Sequence, residues 1–134
     1  SMFEAGLQNY AGAIGLAAAC DYLRKIGMKN VDRHEEELTK RMRDVMSDVS
    51  GIEFVGAKGT GIVSFNVKGL GFHDVAVMMD EIGNVMIRSG QHCAHSWFNA
   101  RNINGCCRAS LYVYNNASDV ERFAACLKKV SGVA

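Results

Sequence analysis

The sequence predicts an α+β fold in which helices pack on a small, mainly antiparallel sheet. The chain has 134 residues, of which 49% are apolar, so its length suits one hydrophobic core better than two. Helical and alternating apolar patterns follow one another in the order two helices, two strands, a helix, two strands and a helix. This order indicates a single domain over residues 1–134, with one layer of strands and one of helices.

Two amphipathic helices are predicted in the N-terminal part of the chain. The first covers residues 9–26 and ends at Gly27, a typical stop signal. Its apolar stripe consists of Leu16, Ala19, Cys20, Leu23 and Ile26. The second runs from about residue 30 to residue 49, and its charged outer face is typical of a solvated helix. Its inner stripe consists of Leu38, Met42, Val45 and Val49.

The rest of the chain alternates between strand and helix patterns. Strands are predicted at residues 52–55, 62–67, 85–88 and 107–114. A helix is predicted at residues 74–82, and Ser89-Gly90 is expected to end the third strand. In the last strand, the residues that share a face are Arg108, Ser110, Tyr112 and Tyr114. The last helix is expected to begin with a capping box of Ser118 and Glu121. Its apolar stripe consists of Val120, Phe123, Ala124, Leu127 and Val130.

The composition argues against several classes of protein. The net charge is +1, which favours neither nucleic acid nor an anionic membrane as a partner, and no apolar run predicts a transmembrane helix. An odd count of five cysteines is unsuited to a disulfide framework, so we expect reduced thiols in a cytoplasmic protein. The ligand-type residues match no common zinc spacing, so no metal is expected. These residues are His92, Cys93, His95, Cys106 and Cys107.

A reactive thiol is one interpretation of residues 87–95. This segment leaves a predicted strand, passes Gly90 and presents Cys93 directly after His92, with Arg88 nearby. Glycine permits a tight turn, and cationic neighbours of this kind lower the pKa of a thiol. The alternative is an ordinary turn that carries a half-buried cysteine. On the residues alone both interpretations stay open.

Arg108 is a second candidate, because it interrupts an apolar strand. A guanidinium that faces inward needs an anionic partner, and its fork of donors suits a carboxylate. An arginine that faces solvent, or that pairs with a structural carboxylate, explains the pattern equally simply.

Several segments, including residues 61–66 and 73–76, resemble one family, the second group of cysteine desulfurases, also described as selenocysteine lyases. Residues 88–94 read Arg-Ser-Gly-Gln-His-Cys-Ala and resemble the family's Arg-x-Gly-x-His-Cys-Ala motif. Residues 107–115 resemble the strand that follows this motif. Residues 3–9 resemble the segment where the small domain takes over from the large one. The arginine strand is shared with other class V aminotransferases, whereas the cysteine loop points to a desulfurase.

The resemblance implies the C-terminal small domain of a fold-type-I pyridoxal phosphate enzyme. In this family the cofactor activates L-cysteine or selenocysteine, and a protein cysteine attacks the substrate sulfur, which yields an enzyme persulfide and alanine. Cys93 matches that nucleophile and Arg108 matches the residue that binds the substrate carboxylate. Arg88 matches a second arginine on the substrate side, and Asn9 lies in a segment at the edge of the site.

Thiol tuning is the role that the resemblance suggests for two neighbours of the nucleophile. His92 directly precedes it, and Gln91 stands where the family often has a histidine.

The resemblance also defines what the chain lacks. The family's cofactor lysine follows a histidine in the large domain, and no lysine of this chain follows a histidine. We therefore expect that the cofactor domain is absent here and that the chain alone binds no pyridoxal phosphate productively. The implied parent is a homodimer that passes sulfur to an acceptor protein. The alternatives are a non-catalytic sulfur carrier, a structural domain, and part of another class V aminotransferase-family enzyme.

Overall fold

The computed structural model describes residues 3, 6–59 and 61–133; Glu4 and Ala5, in the segment that resembles the domain junction, lie outside them. The helices are α1 (Tyr10–Ile26), α2 (Met28–Ser47), α3 (Phe72–Gly83), α4 (His95–Asn99) and α5 (Ala117–Ser131). The strands are β1 (Ile52–Phe54), β2 (Ile62–Val67), β3 (Arg88–Gly90) and β4 (Cys106–Ser110). The predicted α+β class is confirmed.

The strands form one antiparallel sheet in the order β1-β2-β4-β3. β4 is therefore an inner strand with a partner on each side, and β3 is an edge strand. Phe65 of β2 lies opposite Cys107 of β4, and Cys107 lies opposite Ser89 of β3. The predicted antiparallel character of the sheet is confirmed.

The core lies between one face of this sheet and the helices α2, α3 and α5. Val63 and Phe65 of β2 are fully buried there, together with Cys107 of β4. All five residues of the predicted stripe of α5 are buried, and the helix adds Cys126 to the core as well; the stripe consists of Val120, Phe123, Ala124, Leu127 and Val130. The apolar faces of the helices thus pack against the face of the sheet to which every second strand residue points, and the core lies between the two layers.

α1 differs from the other long helices, because none of its residues is buried. Leu16 is 67% exposed and Tyr10 is 63% exposed, and the contacts of the helix are mainly with α2. Asn9 caps its first turn by accepting a hydrogen bond from the Gly12 N–H, and Gly27 ends it with a φ of 87°. The predicted helix is confirmed, but within the described residues its apolar stripe is covered only in part, at Leu23 and Ile26.

The predicted bounds of the third strand are wrong. β3 begins at Arg88, where the prediction ends it, and it includes Ser89 and Gly90. The reason lies at the end of α3, where Asn84 adopts the left-handed conformation. The Val85 N–H then donates to the Met79 carbonyl, so this residue completes the helix end and pairs with no strand.

Two further boundaries also differ from the prediction. β4 ends at Ser110 because its partner β2 begins at Ile62, directly opposite, so Tyr112 and Tyr114 lie beyond the sheet. The capping box of α5 consists of Asn116 and Asp119, two residues before the predicted pair.

The short helix α4 has no counterpart in the prediction. It is anchored by Phe98, which is 4% exposed and whose carbonyl accepts a hydrogen bond from the Ile103 N–H. A single turn of helix is too short to show a helical period in the sequence. None of the helices in the described part of the chain combines the length and apolar composition needed to cross a membrane.

A matched pair of leucine substitutions tests this division between core and surface. We expect Leu127→Ala to lower the free energy of unfolding by about 2–5 kcal/mol, because the side chain is fully buried. Leu16→Ala should change it by less than about 0.5 kcal/mol, because this side chain is exposed. Urea unfolding followed by circular dichroism measures both values, and equal losses in the two variants would contradict the described core.

Candidate active site

The candidate site lies on the face of the sheet that points away from the core helices. Side chains alternate along β4, so Cys107 and Ala109 enter the core while Cys106 and Arg108 point to the other face. Ser64 of β2 lies directly opposite Arg108 and shares that face. The alternation of β2 could have identified Ser64 from the sequence, although its side chain carries no motif.

Two arginines face each other across the β3–β4 pair. Arg88 lies directly opposite Arg108 in the antiparallel register. The side chains of such cross-strand pairs are neighbours, and like charges at these positions repel each other. An anion bound between or above the two guanidinium groups would remove the repulsion, so this pair of opposite positions is suited to a ligand that carries a carboxylate.

The Arg108 side chain is half-buried and has no partner among the residues that the structure describes. Its Nε atom is fully buried without a hydrogen bond, and a buried donor without a partner is costly. Arg108 lies in a pocket of about 320 Å³. The other residues that line the pocket are Val55, Gly56, Ala57, Ser64, His92, Ala94, Trp97 and Phe98.

Cys93 is exposed at the corner of a tight turn that follows β3. The turn is closed by a 2.8 Å hydrogen bond from the Ala94 N–H to the Gln91 carbonyl. Its two central residues, His92 and Cys93, have φ values of 52° and 60°. Positive φ at both central positions is the arrangement of a type I′ turn, which Gly, Asn and Asp usually occupy. The backbone strain at Cys93 is therefore maintained by surrounding contacts.

Two glycines permit the close approach of β3 and β4 next to this turn. Gly90 has a φ of 114° and Gly105 a φ of 157°. A Cβ atom at position 105 would lie 2.8 Å from the Phe72 ring and 3.1 Å from the carbonyl carbon of Gly90. A larger residue at position 105 would push the edge strand away and displace the turn that carries Cys93.

His92 lies beneath the turn, with its ring against β4. Its Nε2 is 3.2 Å from the Cys106 carbonyl oxygen and 3.4 Å from the Cys106 Sγ. A carbonyl can only accept, so the proton of the neutral ring is on Nε2, and Nδ1 is a buried acceptor without a partner. Burial lowers the pKa of His92, and the positive charges of Arg108 and Arg88 lower it further.

The other thiols near the sheet are poorly suited to reaction. Burial raises the pKa of Cys107 to about 12, and its Sγ–H donates to the Phe72 carbonyl. Burial also raises the pKa of Cys106, an effect that the hydrogen bond to Ser64 partly offsets. The adjacent cysteines thus face opposite sides of β4, and both are buried. Cys93 and Cys20 are the exposed thiols among the described residues.

The structure brings together most of the sequence-predicted site residues. Arg88, His92, Cys93 and Arg108 lie on β3, on β4 and on the turn after β3. Asn9 lies apart from this group as the cap of α1. The roles predicted for these residues, and the thiol tuning predicted for His92 and Gln91, stay predictions.

One functional group of the site had no signal in the sequence. Trp97 lines the pocket and contacts Phe98 edge-to-face with ring centroids 5.0 Å apart, while the Arg101 guanidinium lies over the Trp97 ring. These contacts depend on α4, which the sequence pattern does not reveal.

The residues around this pocket do not fit pyridoxal phosphate on their own. The described part of the lining contains no lysine that could form a Schiff base with the cofactor aldehyde. Across residues 3, 6–59 and 61–133, no group of three or more His, Cys, Asp or Glu side chains is placed to hold a metal ion. The arrangement offers a half-buried guanidinium without a partner and an exposed thiol.

Comparison with known proteins identifies the relatives of this chain. The sequence model of the family described as "Aminotransferase class-V" matches residues 1–123. The chain is 42% identical over 130 residues to a probable cysteine desulfurase of Xylella fastidiosa (strain 9a5c), and this match covers 96% of the chain and 31% of the relative. The chain therefore spans about a third of the length of the curated relatives it matches.

Solved structures give the same picture. The apo structure of a cysteine desulfurase from Thermococcus onnurineus NA1 superimposes with a TM-score of 0.91 at 39% identity, covering 98% of this chain and 34% of that one. The cysteine desulfurase CsdA from Escherichia coli, in an S-sulfonic acid form, superimposes with a TM-score of 0.89 at 26% identity, covering 97% of this chain and 32% of that one.

Substitutions at Cys93 test the strain in the turn. Asparagine adopts positive φ more readily than alanine, so Cys93→Asn should be more stable than Cys93→Ala by about 1 kcal/mol. Cys20 provides the control, because it is also exposed but lies inside α1. There the order should reverse, and the alanine variant should be the more stable one by about 0.7 kcal/mol. Urea unfolding measures all four variants, and the same order at both positions would contradict the strained turn.

The lowered pKa of His92 predicts a pH dependence of stability. In the folded state this pKa lies below 6.5, so as the pH falls the unfolded chain takes up the proton first. Wild type should therefore lose stability relative to His92→Gln as the pH falls from 6.5 to the lowered pKa. Above 6.5 the difference between the two should be constant. Urea titrations at a series of pH values measure this difference, and a flat difference below 6.5 would contradict the burial of the neutral ring.

Proposed function

The chain belongs to the aminotransferase class-V family, and from this premise we propose that it is the C-terminal domain of a pyridoxal-phosphate-dependent cysteine desulfurase. One observation carries the proposal: an exposed thiol lies beside a pocket that contains a guanidinium without a partner. Cys93 lies between His92 and Ala94, and both of these residues line the pocket that contains the unpartnered guanidinium of Arg108.

Arg108 has the role of binding the substrate carboxylate. Its fork of donors matches the two oxygens of a carboxylate, and a bound carboxylate would give the buried Nε atom the partner that it lacks. Arg88, on the opposite strand, adds a second positive charge at the same pair of opposite positions. The two arginines thereby orient L-cysteine with its carboxylate against the sheet and its sulfur free to meet the thiol.

Cys93 has the role of the sulfur acceptor. Its thiolate attacks the sulfur of L-cysteine, an S–S bond forms, and the bond from that sulfur to the substrate carbon breaks with its electron pair left on carbon. The carbon takes up a proton, so thiol and L-cysteine become persulfide and alanine without an external oxidant or reductant. Bound pyridoxal phosphate supplies an electron sink for such chemistry. We place the residues that hold it in the part of the parent beyond this chain.

The exposed apolar side chains around α1 support the proposal of that further part. Tyr10, Ile14, Leu16 and Tyr22 are each more than half exposed on one helix, which is unusual for a stable isolated surface. The Thermococcus structure matches 98% of this chain within a polypeptide about three times as long. We propose that the rest of the parent packs on α1, and that the 134 residues form one domain of it.

Several finer features of the parent belong to the same proposal. They are a homodimer, an acceptor protein that receives the sulfur, and a cytoplasmic location. The substrate is L-cysteine or selenocysteine, and Asn9 contributes to the edge of the site.

A non-catalytic sulfur carrier is the second candidate. It is favoured by the exposure of Cys93 together with the absence of lysine from the described pocket lining. A carrier would accept sulfur from a persulfide donor in the absence of pyridoxal phosphate and would never release alanine from L-cysteine.

The two exposed cysteines give a matched test. In the polypeptide that contains this sequence, loaded with pyridoxal phosphate, we expect Cys93→Ser to lower alanine release from L-cysteine by at least about a thousandfold, because the nucleophile is removed. Cys20→Ser should leave the rate unchanged. Alanine and the persulfide are both quantified by mass spectrometry.

Equal rates in the two variants would contradict the assignment of Cys93. If alanine release is absent but a donor places a persulfide on Cys93, the carrier function replaces the desulfurase.

A further inference from the structure

The turn that presents Cys93 requires an external restraint. His92 and Cys93 are consecutive residues other than glycine with positive φ, and each costs on the order of 1 kcal/mol in this conformation. One backbone hydrogen bond, from the Ala94 N–H to the Gln91 carbonyl, closes the turn. Because a single bond of this kind contributes only about 1 kcal/mol, the turn needs a further contact to persist.

The His92 side chain provides such a contact. Its Nε2–H donates to the Cys106 carbonyl at 3.2 Å. Cys106 lies opposite Gly90 in the β3–β4 register, two residues before Arg108 on β4. The ring therefore connects the turn that carries the thiol to the strand that carries the guanidinium.

The ring is also enclosed from the side of α4. The centroids of the His92 and Phe98 rings are 6.2 Å apart, and Phe98 is buried. The Phe98 N–H donates to the Ala94 carbonyl, so the helix that holds Phe98 starts directly at the end of the turn. Strand, ring and helix thus form a continuous set of contacts around Cys93.

We propose that His92 is a positioning residue for Cys93. Its ring donates a hydrogen bond to the Cys106 carbonyl of β4 and thereby holds the strained turn in the conformation that presents the thiol beside Arg108. This inference rests on the proposed function, since it assigns a task to the turn of the sulfur acceptor. The residue type suits both demands of the position. Histidine tolerates left-handed backbone better than most residues, and it reaches far enough to donate to the neighbouring strand.

Hydrogen exchange measured on the chain itself tests the restraint. The amides to follow are those of Ala94, Trp97 and Phe98, which donate within the turn and the start of α4. His92→Gly keeps the freedom for positive φ but removes the donor, so these amides should exchange at least about tenfold faster. His92→Gln restores a donor of similar reach and should recover most of the protection.

The amides of α5 serve as the internal control. A residue that only stabilised the whole fold would speed exchange in α5 and in the turn alike, and this result would overturn the proposal. Unchanged exchange at Ala94, Trp97 and Phe98 in His92→Gly would also overturn it. His92→Asn is the second variant in case the glycine protein fails to fold, because asparagine tolerates positive φ but is too short to reach Cys106.

A kinetic measurement on the cofactor-loaded parent separates positioning from substrate binding. His92→Gly should lower kcat for L-cysteine by about tenfold or more with KM nearly unchanged, because the carboxylate contact of Arg108 is retained. A rise in KM with unchanged kcat would contradict positioning. Hydrogen exchange needs no desulfurase activity, so failure of the proposed function leaves that measurement interpretable on its own.

Discussion

The pairing of β4 with both of its neighbours determines the positions of the core and of the candidate site. β4 sends Cys107 and Ala109 into the core and Cys106 and Arg108 to the other face. A shift of one residue against β2 would exchange these faces, burying the guanidinium and exposing core side chains. Burial of the apolar set therefore fixes the register, and the register in turn places Arg108 opposite Arg88 and Cys106 opposite Gly90. The chemistry of the site thus depends on the same constraint that stabilises the fold.

Much of the fold could be predicted because its burial follows simple periods. Apolar and polar residues alternate along β2 from Val63 to Val67, and the apolar residues of α5 have helical spacing throughout. The sequence therefore predicts both elements together with the face that each one buries. The bounds of β3 could not be predicted, since residue 85 has strand-like chemistry but its amide completes the end of α3. The end of β4 depends on where its partner β2 begins, which is a non-local contact. The tyrosines after Ser110 continue the alternating pattern, so the sequence alone does not show where the strand ends.

The candidate site divides in the same way. Cys93 and Arg108 could be identified from local sequence, because a cysteine after a glycine turn and an arginine in an apolar strand are visible within a few residues. The contact between His92 and the Cys106 carbonyl spans 14 residues and depends on the β3–β4 register. The pocket wall depends on α4, which is too short to leave a period in the sequence. Side chains that act through non-local contacts therefore needed the structure.

Within the described residues, only one cysteine is both exposed to solvent and close to the positive charge of the pocket. Cys106, Cys107 and Cys126 are buried, and burial raises the pKa of each thiol, so these sulfurs stay protonated and are shielded from solvent. Cys20 is exposed on α1, but it lines none of the described pockets. Among the described residues, Cys93 alone is an exposed thiol next to a pocket with positive charge, which Arg108 supplies together with Arg88 on the opposite strand. A carboxylate held by these guanidinium groups would therefore lie close to the one thiol of the described residues that is both exposed and next to this pocket.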